Sequence, residues 1–418
     1  MGSELKNYSL DELCLRITDG SHQSPKAFDG GKPMFSVKDM NEFGFSLDSV
    51  KRISEDDYLK LASQGCKPEI NDVLIAKDGS VMKHVFKVSE RIEGVLLSSV
   101  AIIRPNIDLV DPDFLVFSLL NPLLKDSILN NYVSGSGVPR IVLKDFKKIV
   151  LSLPSLEKQE EIAKVLSSVN NKIELNSQTN QTLEKMAQAL FKSWFVDFDP
   201  VIDNALAAGN PIPDELQDRA QRRQQQLAKP DLKPLPDDIR QLFPSEFELT
   251  EALGWVPMGW ESSELGNLID VLETGRRPKG GVAKYKTGVP SVGAESIKGI
   301  GNFEYGKTKY VPYEFFEKMK SGKVQDYDAL LYKDGGKPGE FKPRIGMFGE
   351  GFPFIEYGIN EHVFRLRSKK LGQFFLYYQL GSDRIFHDLA VRGGKAAIPG
   401  INQQEVKSQL FLVPSKEI

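Results

Sequence analysis

Residues 155–197 read SLEKQEEIAKVLSSVNNKIELNSQTNQTLEKMAQALFKSWFVD, and the spacing within this stretch decides the architecture. Ile162, Leu166, Val169, Ile173, Leu183, Ala187, Leu190 and Trp194 recur at steps of four and three, with Asn176 and Asn180 in the two remaining slots. Unbroken alternation of this kind is a heptad seam, and it predicts one helix facing one partner helix. Pro154 ends the preceding strand, Ser155 can cap, and Glu157, Glu160 and Glu161 put negative charge on the first turns, where the helix dipole favours it. Asp199-Pro200 is expected to stop the helix. At 1.5 Å per residue the rod is about 60 Å long, which implies two bodies held apart. The two seam asparagines are expected to set register at some cost in stability. Phe191, Trp194, Phe195 and Phe198 crowd the far end and are expected to anchor an interface. The alternative is packing on residues 242–256, which carry Phe243, Phe247 and Trp255.

The segments flanking the rod are copies of each other. Residues 114–158 align on 374–418 without a gap: Phe114, Leu120, Leu129, Pro139, Ile141, Lys147, Pro154, Ser155 and Glu157 are matched by Phe374, Leu380, Leu389, Pro399, Ile401, Lys407, Pro414, Ser415 and Glu417. Lys77-Asp78-Gly79 after an apolar run is matched by Lys333-Asp334-Gly335 after another. Gly20 before Pro33 is matched by Gly275 before Pro290, and Glu12-Leu13 by Glu264-Leu265. A period near 260 residues is too long for a solenoid, so these are two related domains.

Composition narrows the classes. The chain has 418 residues, 40% of them hydrophobic, and two cysteines, which fits a reducing cytoplasm and rules out a disulfide framework. No apolar run approaches the length of a membrane span, and no signal peptide is evident. The net charge of −3 is unevenly spread: −2 over residues 1–153, −6 over 154–254 and +5 over 255–418. A nucleic-acid contact would therefore use a local basic face. No P-loop and no dinucleotide fingerprint is present, and His22, His84, His362 and His387 lack metal-ligand spacing. No catalytic residue and no metal ligand is expected.

Short β-rich runs are expected at 73–76, 95–103 and 148–153, with helices at 113–130 and 372–389. In the first helix, Phe114, Phe117, Leu120, Leu124 and Ile128 share one side. Residues 200–254 read as an ordered connector too polar to be a core, with a short helix over 214–227. Lys77-Asp78-Gly79-Ser80 and Lys333-Asp334-Gly335-Gly336 read as hairpin turns. A second pair of loops, 134–140 and 392–399, is rich in small residues with a nearby Arg or Lys, a composition that lets backbone amides approach phosphate.

Several runs together resemble the specificity (S) subunit of type I restriction–modification enzymes. They are Leu153-Pro154-Ser155-Leu156-Glu157-Lys158-Gln159-Glu160-Glu161-Ile162-Ala163, then Asn171-Lys172-Ile173-Glu174-Leu175-Asn176, then Leu190-Phe191-Lys192-Ser193-Trp194-Phe195-Val196-Asp197-Phe198, with Leu242-Phe243-Pro244-Ser245-Glu246-Phe247 and Pro257-Met258-Gly259-Trp260. The resemblance implies an α+β chain of two homologous mixed α/β target-recognition domains separated by a long coiled-coil-type helix. It places the first domain at 1–153, the spacer helix at 154–199, the connector at 200–254 and the second domain at 255–413. A further helix would start at 414–418, where Val413-Pro414-Ser415-Lys416-Glu417 repeats the opening of the first; family members carry it in full and pack it antiparallel on the central helix. The expectation is a truncated chain or gene, or a rod that pairs with a second copy or a methylation subunit.

The implied function is non-catalytic: double-stranded DNA is read at a bipartite target, one domain per half. Methylation subunits dock on the helix, and restriction subunits join indirectly. S-adenosylmethionine, ATP and Mg belong to those partners, in the cytoplasm. A stand-alone two-domain regulator is the alternative. Candidate DNA contacts are Lys38, Lys77, Ser80, Lys83 and Arg140 in the first copy, and Arg276, Arg277, Lys279, Lys298, Lys333, Lys337, Arg344 and Lys395 in the second. The seam from Ile162 to Trp194, with Phe191 and Phe195, is the candidate subunit interface.

Overall fold

The heptad stretch folds as one helix, Leu156–Phe195, in the computed structural model, which describes residues 5–135, 137–230, 233–395 and 398–415. The Lys416-Glu417 start of a further helix lies outside the described residues, as do Ser136, Ala396 and Ala397 of the small-residue loops. The helix ends before Asp199-Pro200, not at it. Phe198 takes a left-handed backbone (φ 57°) and a new helix, Asp199–Ala208, begins with Pro200 in its first turn. Proline is tolerated there because its missing N–H would have no intrahelical partner.

The chain divides into two compact units, residues 1–180 and 181–418. In the first unit, β1 (Lys6–Ser9) pairs with β9 (Val150–Leu153). A four-stranded sheet runs β2 (Cys14–Asp19), β8 (Val100–Pro105), β5 (Val73–Ala76), β6 (Val85–Lys87). A three-stranded sheet places β3 (Lys32–Phe35) between antiparallel β4 (Lys51–Ile53) and parallel β7 (Val95–Leu96). The main core lies between the larger sheet and the helices that follow it, and includes Leu10, Val73, Ile75, Ile103, Leu115, Leu119, Ile128 and Phe146.

The second unit repeats this topology. A hairpin of β10 (Phe247–Thr250) and β11 (Gly254–Pro257) precedes β12 (Glu261–Glu264), which pairs with β21 (Leu410–Val413). The main sheet runs β13 (Val271–Thr274), β20 (Val363–Arg367), β17 (Ala329–Tyr332), β18 (Ile345–Met347), with β15 (Gly299–Ile300) parallel on its edge. The small sheet again puts β14 (Val289–Val292) between antiparallel β16 (Lys309–Val311) and parallel β19 (Gly358–Ile359). Each copy also buries a carboxylate completely. Asp72 accepts from Arg104 Nε (2.8 Å) and Nη2 (3.0 Å), and Asp328 accepts from Arg367 Nε (2.6 Å) and from Arg365.

Several sequence expectations need correction. The helix expected over 113–130 is two, Pro112–Leu120 and Pro122–Tyr132. Asn121 is extended (ψ 124°) because a residue before proline avoids the helical region. Leu115, Val116, Leu119 and Ile128 are buried while Leu120 is exposed, so the expected side is only partly the core side. The helix expected over 372–389 likewise breaks, into Gln373–Leu380 and Asp383–Gly393. The 95–103 run is two strands in different sheets. The Asp-Gly loops are not tight turns, since residues 77–84 separate β5 from β6 and 333–344 separate β17 from β18. Gly79 and Gly335 do take positive φ, 72° and 120°.

The connector has a core, contrary to expectation. Val201, Ile202, Ala205, Ala220, Phe243, Phe247 and Val256 are buried together with Phe198 and Trp260. Polar groups lock it: buried Asp199 takes Arg219 Nε at 2.7 Å and Nη2 at 2.9 Å, and Asn204 Nδ2 donates to the Phe243 carbonyl at 2.8 Å.

Candidate nucleic-acid interface

In each copy the same backbone frame gathers loops at one edge. Gly79 N–H donates to the Pro139 carbonyl (2.7 Å), as Gly335 does to Pro399 (2.9 Å). Ile141 donates to Lys77 O (3.1 Å), as Ile401 does to Lys333 O (2.8 Å). Lys77 N–H reaches Ser99 O and Lys333 N–H reaches His362 O, both at 2.9 Å. Val37 N–H reaches Ser99 Oγ at 3.1 Å, which brings residues 36–39 to the same place. Gly20 and Gly275 open the edge. A Cβ on Gly20 would sit 2.2 Å from Leu96 O, and one on Gly275 would sit 1.5 Å from Ile359 O, so only glycine fits either crossing.

On the first frame Lys38, Ser80, Lys83 and Arg140 are exposed. Lys77 is not: its side chain is 8% exposed and its ammonium lies 3.3 Å from Asp19 and 3.4 Å from Asp78. Burial and two carboxylates thus engage the Lys77 charge within the fold. His84, beside Lys83, is held below the ordinary histidine range by burial and by the charges of Lys83 and Lys125, so it adds no positive charge near neutral pH.

On the second frame Arg276, Lys279, Lys337 and Lys395 are exposed, and Arg277 pairs with Glu361 at 2.5 Å. Lys333 is half-buried and pairs with Asp334, which also meets His362 Nδ1. Burial works against the Asp334 carboxylate, but Lys333 and His362 hold it below the usual range. Lys298 and Arg344 come together at one cleft. They line a cleft of about 690 Å³ formed with the final turns of the long helix, including Glu184, Phe191 and Lys192. There Lys298 pairs with Glu304 (2.8 Å) and Arg344 lies over the Tyr332 ring (4.3 Å). Arg344 stays close to the frame, since its carbonyl accepts the Tyr332 N–H (2.9 Å) beside Lys333. Asp19, His22, Glu361 and His362 belong to the edge and were missed. The match of Gly20 to Gly275, which precedes Arg276 and Arg277, was the signal for His22.

The helix seam divides in two. Leu166, Val169, Ile173, Leu183 and Leu190 are 41–56% exposed, and Asn176 and Asn180 are exposed with them. Ile162 and Ala187 are half-buried. The first turn is tied down by buried Gln159, which takes the Asp111 N–H (3.1 Å) and donates to Pro154 O (3.1 Å). The aromatic end packs as the alternative reading has it, partly against residues 242–256. Trp194 meets Phe243 edge-on (5.4 Å) and Phe195 meets it tilted (6.4 Å), Phe195 reaches Trp260 (6.0 Å), and Phe191 meets Phe375 (5.4 Å) and Tyr378 (5.5 Å). These rings are internal packing of the second unit.

Among the described residues, no group of three His, Cys, Asp or Glu side chains could hold a metal, and no helix is long and apolar enough to cross a membrane. Two copies of one mixed α+β domain, each with a framed loop edge, and a long helix with an uncovered seam define the class. Residues 2–185 match the family described as the type I restriction modification DNA specificity domain.

Similar proteins carry related names. The type I restriction enzyme HindI specificity subunit of Haemophilus influenzae is 32% identical over 194 residues, 43% of this chain and 42% of that protein. The MjaVIII specificity subunit of Methanocaldococcus jannaschii is 22% identical over 343 residues, 80% of this chain and 66% of that one. The chain thus spans under two thirds of the length of these relatives. Among solved structures, the S subunit of a type I restriction-modification system from M. genitalium aligns with 99% of this chain and 86% of its own, at 12% identity and a TM-score of 0.47. The HsdS subunit of Thermoanaerobacter tengcongensis aligns with 99% and 86%, at 14% identity and a TM-score of 0.32.

Proposed function

We propose that the chain is the DNA specificity subunit of a type I restriction–modification complex. It binds double-stranded DNA at a bipartite target, one domain on each half, and carries no catalytic group. The carrying observation is the repeated edge: one hydrogen-bond frame is built twice, and different side chains stand on it. A fixed frame with variable occupants suits two half-sites of different sequence, because position is set by the backbone and discrimination by the side chains. Exposed lysines and arginines on both edges supply the phosphate attraction such binding requires. The uncovered seam supports docking of methylation subunits, through which restriction subunits join. A second copy of the chain would use the same surface. S-adenosylmethionine, ATP and Mg are held by those partners, in the cytoplasm.

The test is to co-express the chain with its cognate methylation subunit and map adenine methylation across the genome. The expected result is co-purification and methylation confined to one split sequence. Methylation at unrelated sites, or no co-purification, would overturn the reading.

A further inference from the structure

We propose that Arg277 reads a guanine in the half-site taken by the second domain, and that Glu361 is the positioning residue that aims it. This rests on the DNA-recognition reading above. The crossing at Gly275, whose added Cβ would lie 1.5 Å from Ile359 O, fixes where Arg276 and Arg277 emerge after β13. Glu361 lies two residues beyond Ile359, the end of β19, and its Oε1 forms an ion pair with Arg277 Nε at 2.5 Å. The other carboxylate oxygen, Oε2, is buried without a hydrogen-bond partner. Glu361 thus has its second oxygen desolvated, and its charge is offset by Arg277, with His362 Nε2 3.5 Å from Oε1.

The backbone beneath is itself held. Asn360 N–H donates to Val292 O (3.0 Å), His362 N–H to Asn360 Oδ1 (2.9 Å), and Lys333 N–H to His362 O (2.9 Å). An arginine engaged through Nε keeps both Nη groups, in one plane, for whatever lies outward. That fork matches two adjacent acceptors. In the major groove only guanine, with O6 and N7, presents such a pair; adenine puts a donor beside N7, and thymine a methyl beside O4. Lysine has no fork. Arg276, next in the chain and exposed, makes no ion pair among the described residues and is placed for a phosphate. The first domain carries Ser21 and His22 after Gly20, with His22 Nε2 3.4 Å from Asp19, so this position offers an imidazole and not a fork. The two half-sites therefore differ at this step.

The test is binding-site selection by the assembled complex on DNA randomised in the second half-site, with wild type, Arg277→Lys, Glu361→Gln and Arg276→Ala. Wild type is expected to demand a G·C pair at one position. Arg277→Lys should lower discrimination there by about ten- to hundredfold while keeping non-specific affinity and salt dependence. Glu361→Gln should relax the same position alone, a change that a merely structural role would not confine to one base pair. Arg276→Ala should weaken all sequences alike and reduce the salt slope by about one. Each variant should keep the wild-type melting temperature. An Arg277→Lys complex that selects the wild-type second half-site overturns the proposal. So does one that loses affinity equally at every position. A wild-type complex that selects no split sequence brings down the recognition reading itself, a distinct outcome.

Discussion

Replacing Val169 and Ile173 together with Gln tests the exposed seam directly. The two side chains are 54% and 55% exposed. Full burial of such a side chain is worth about 1.5–3 kcal/mol, so covering the half that is still open contributes about 1–1.5 kcal/mol each. The double variant should therefore cost about 2–3 kcal/mol of association, which is roughly thirty- to hundredfold in Kd. Glutamine is a good helix former and the sites are open to solvent, so the chain's own stability should stay within about 0.5 kcal/mol. The assay is titration calorimetry of the methylation subunit into wild-type and variant chain, with thermal melting of each chain alone. Unchanged affinity would refute the seam as the docking surface. A fall of several degrees in the melting temperature of the chain alone would show instead that Val169 and Ile173 are covered within the chain. Asn176 and Asn180 are exposed on the same seam, so changing both to Leu should leave the chain's own melting temperature alone and alter only its choice of partner.

Three further outcomes follow from the packing. Trp194→Ala with Phe195→Ala removes two members of the ring cluster around Phe243 and Trp260, and should destabilise the second unit by at least about 3 kcal/mol, read as a lower melting transition; loss of partner binding with no loss of stability would contradict it. Arg104→Met strands the fully buried Asp72 and should cost about 3–5 kcal/mol, whereas removing both charges with Asp72→Asn in the same chain should recover part of the loss; denaturant unfolding reads both. The Asp334 carboxylate is held below its unfolded value, so its contribution is present above the ordinary carboxylate range and is lost as pH falls through the folded value. Asp334→Asn should flatten the acid limb of the stability profile, and an unchanged limb would refute the linkage.

What was legible in the sequence was what repeats. The 4-3 spacing of Ile162 to Trp194 gave the helix, because helical periodicity is local and needs no knowledge of the rest of the chain. The 260-residue shift gave two domains of one topology, and Gly20 and Gly275 marked matching crossings. Local steric rules also explain why Asn121-Pro122 breaks a helix that apolar spacing alone would continue. The tertiary structure decided which charges remain available. Lys77 and Lys333 look alike in sequence, yet Lys77 is paired with Asp19, 58 residues away, and Arg277 pairs with Glu361, 84 residues away. It also decided that Phe191, Trp194 and Phe195 are covered while Val169 and Ile173 are not, although all five belong to one stretch of one helix. Spacing tells which residues share a face. What comes to lie against that face depends on contacts between residues far apart in the chain, and those contacts exist only once the chain has folded.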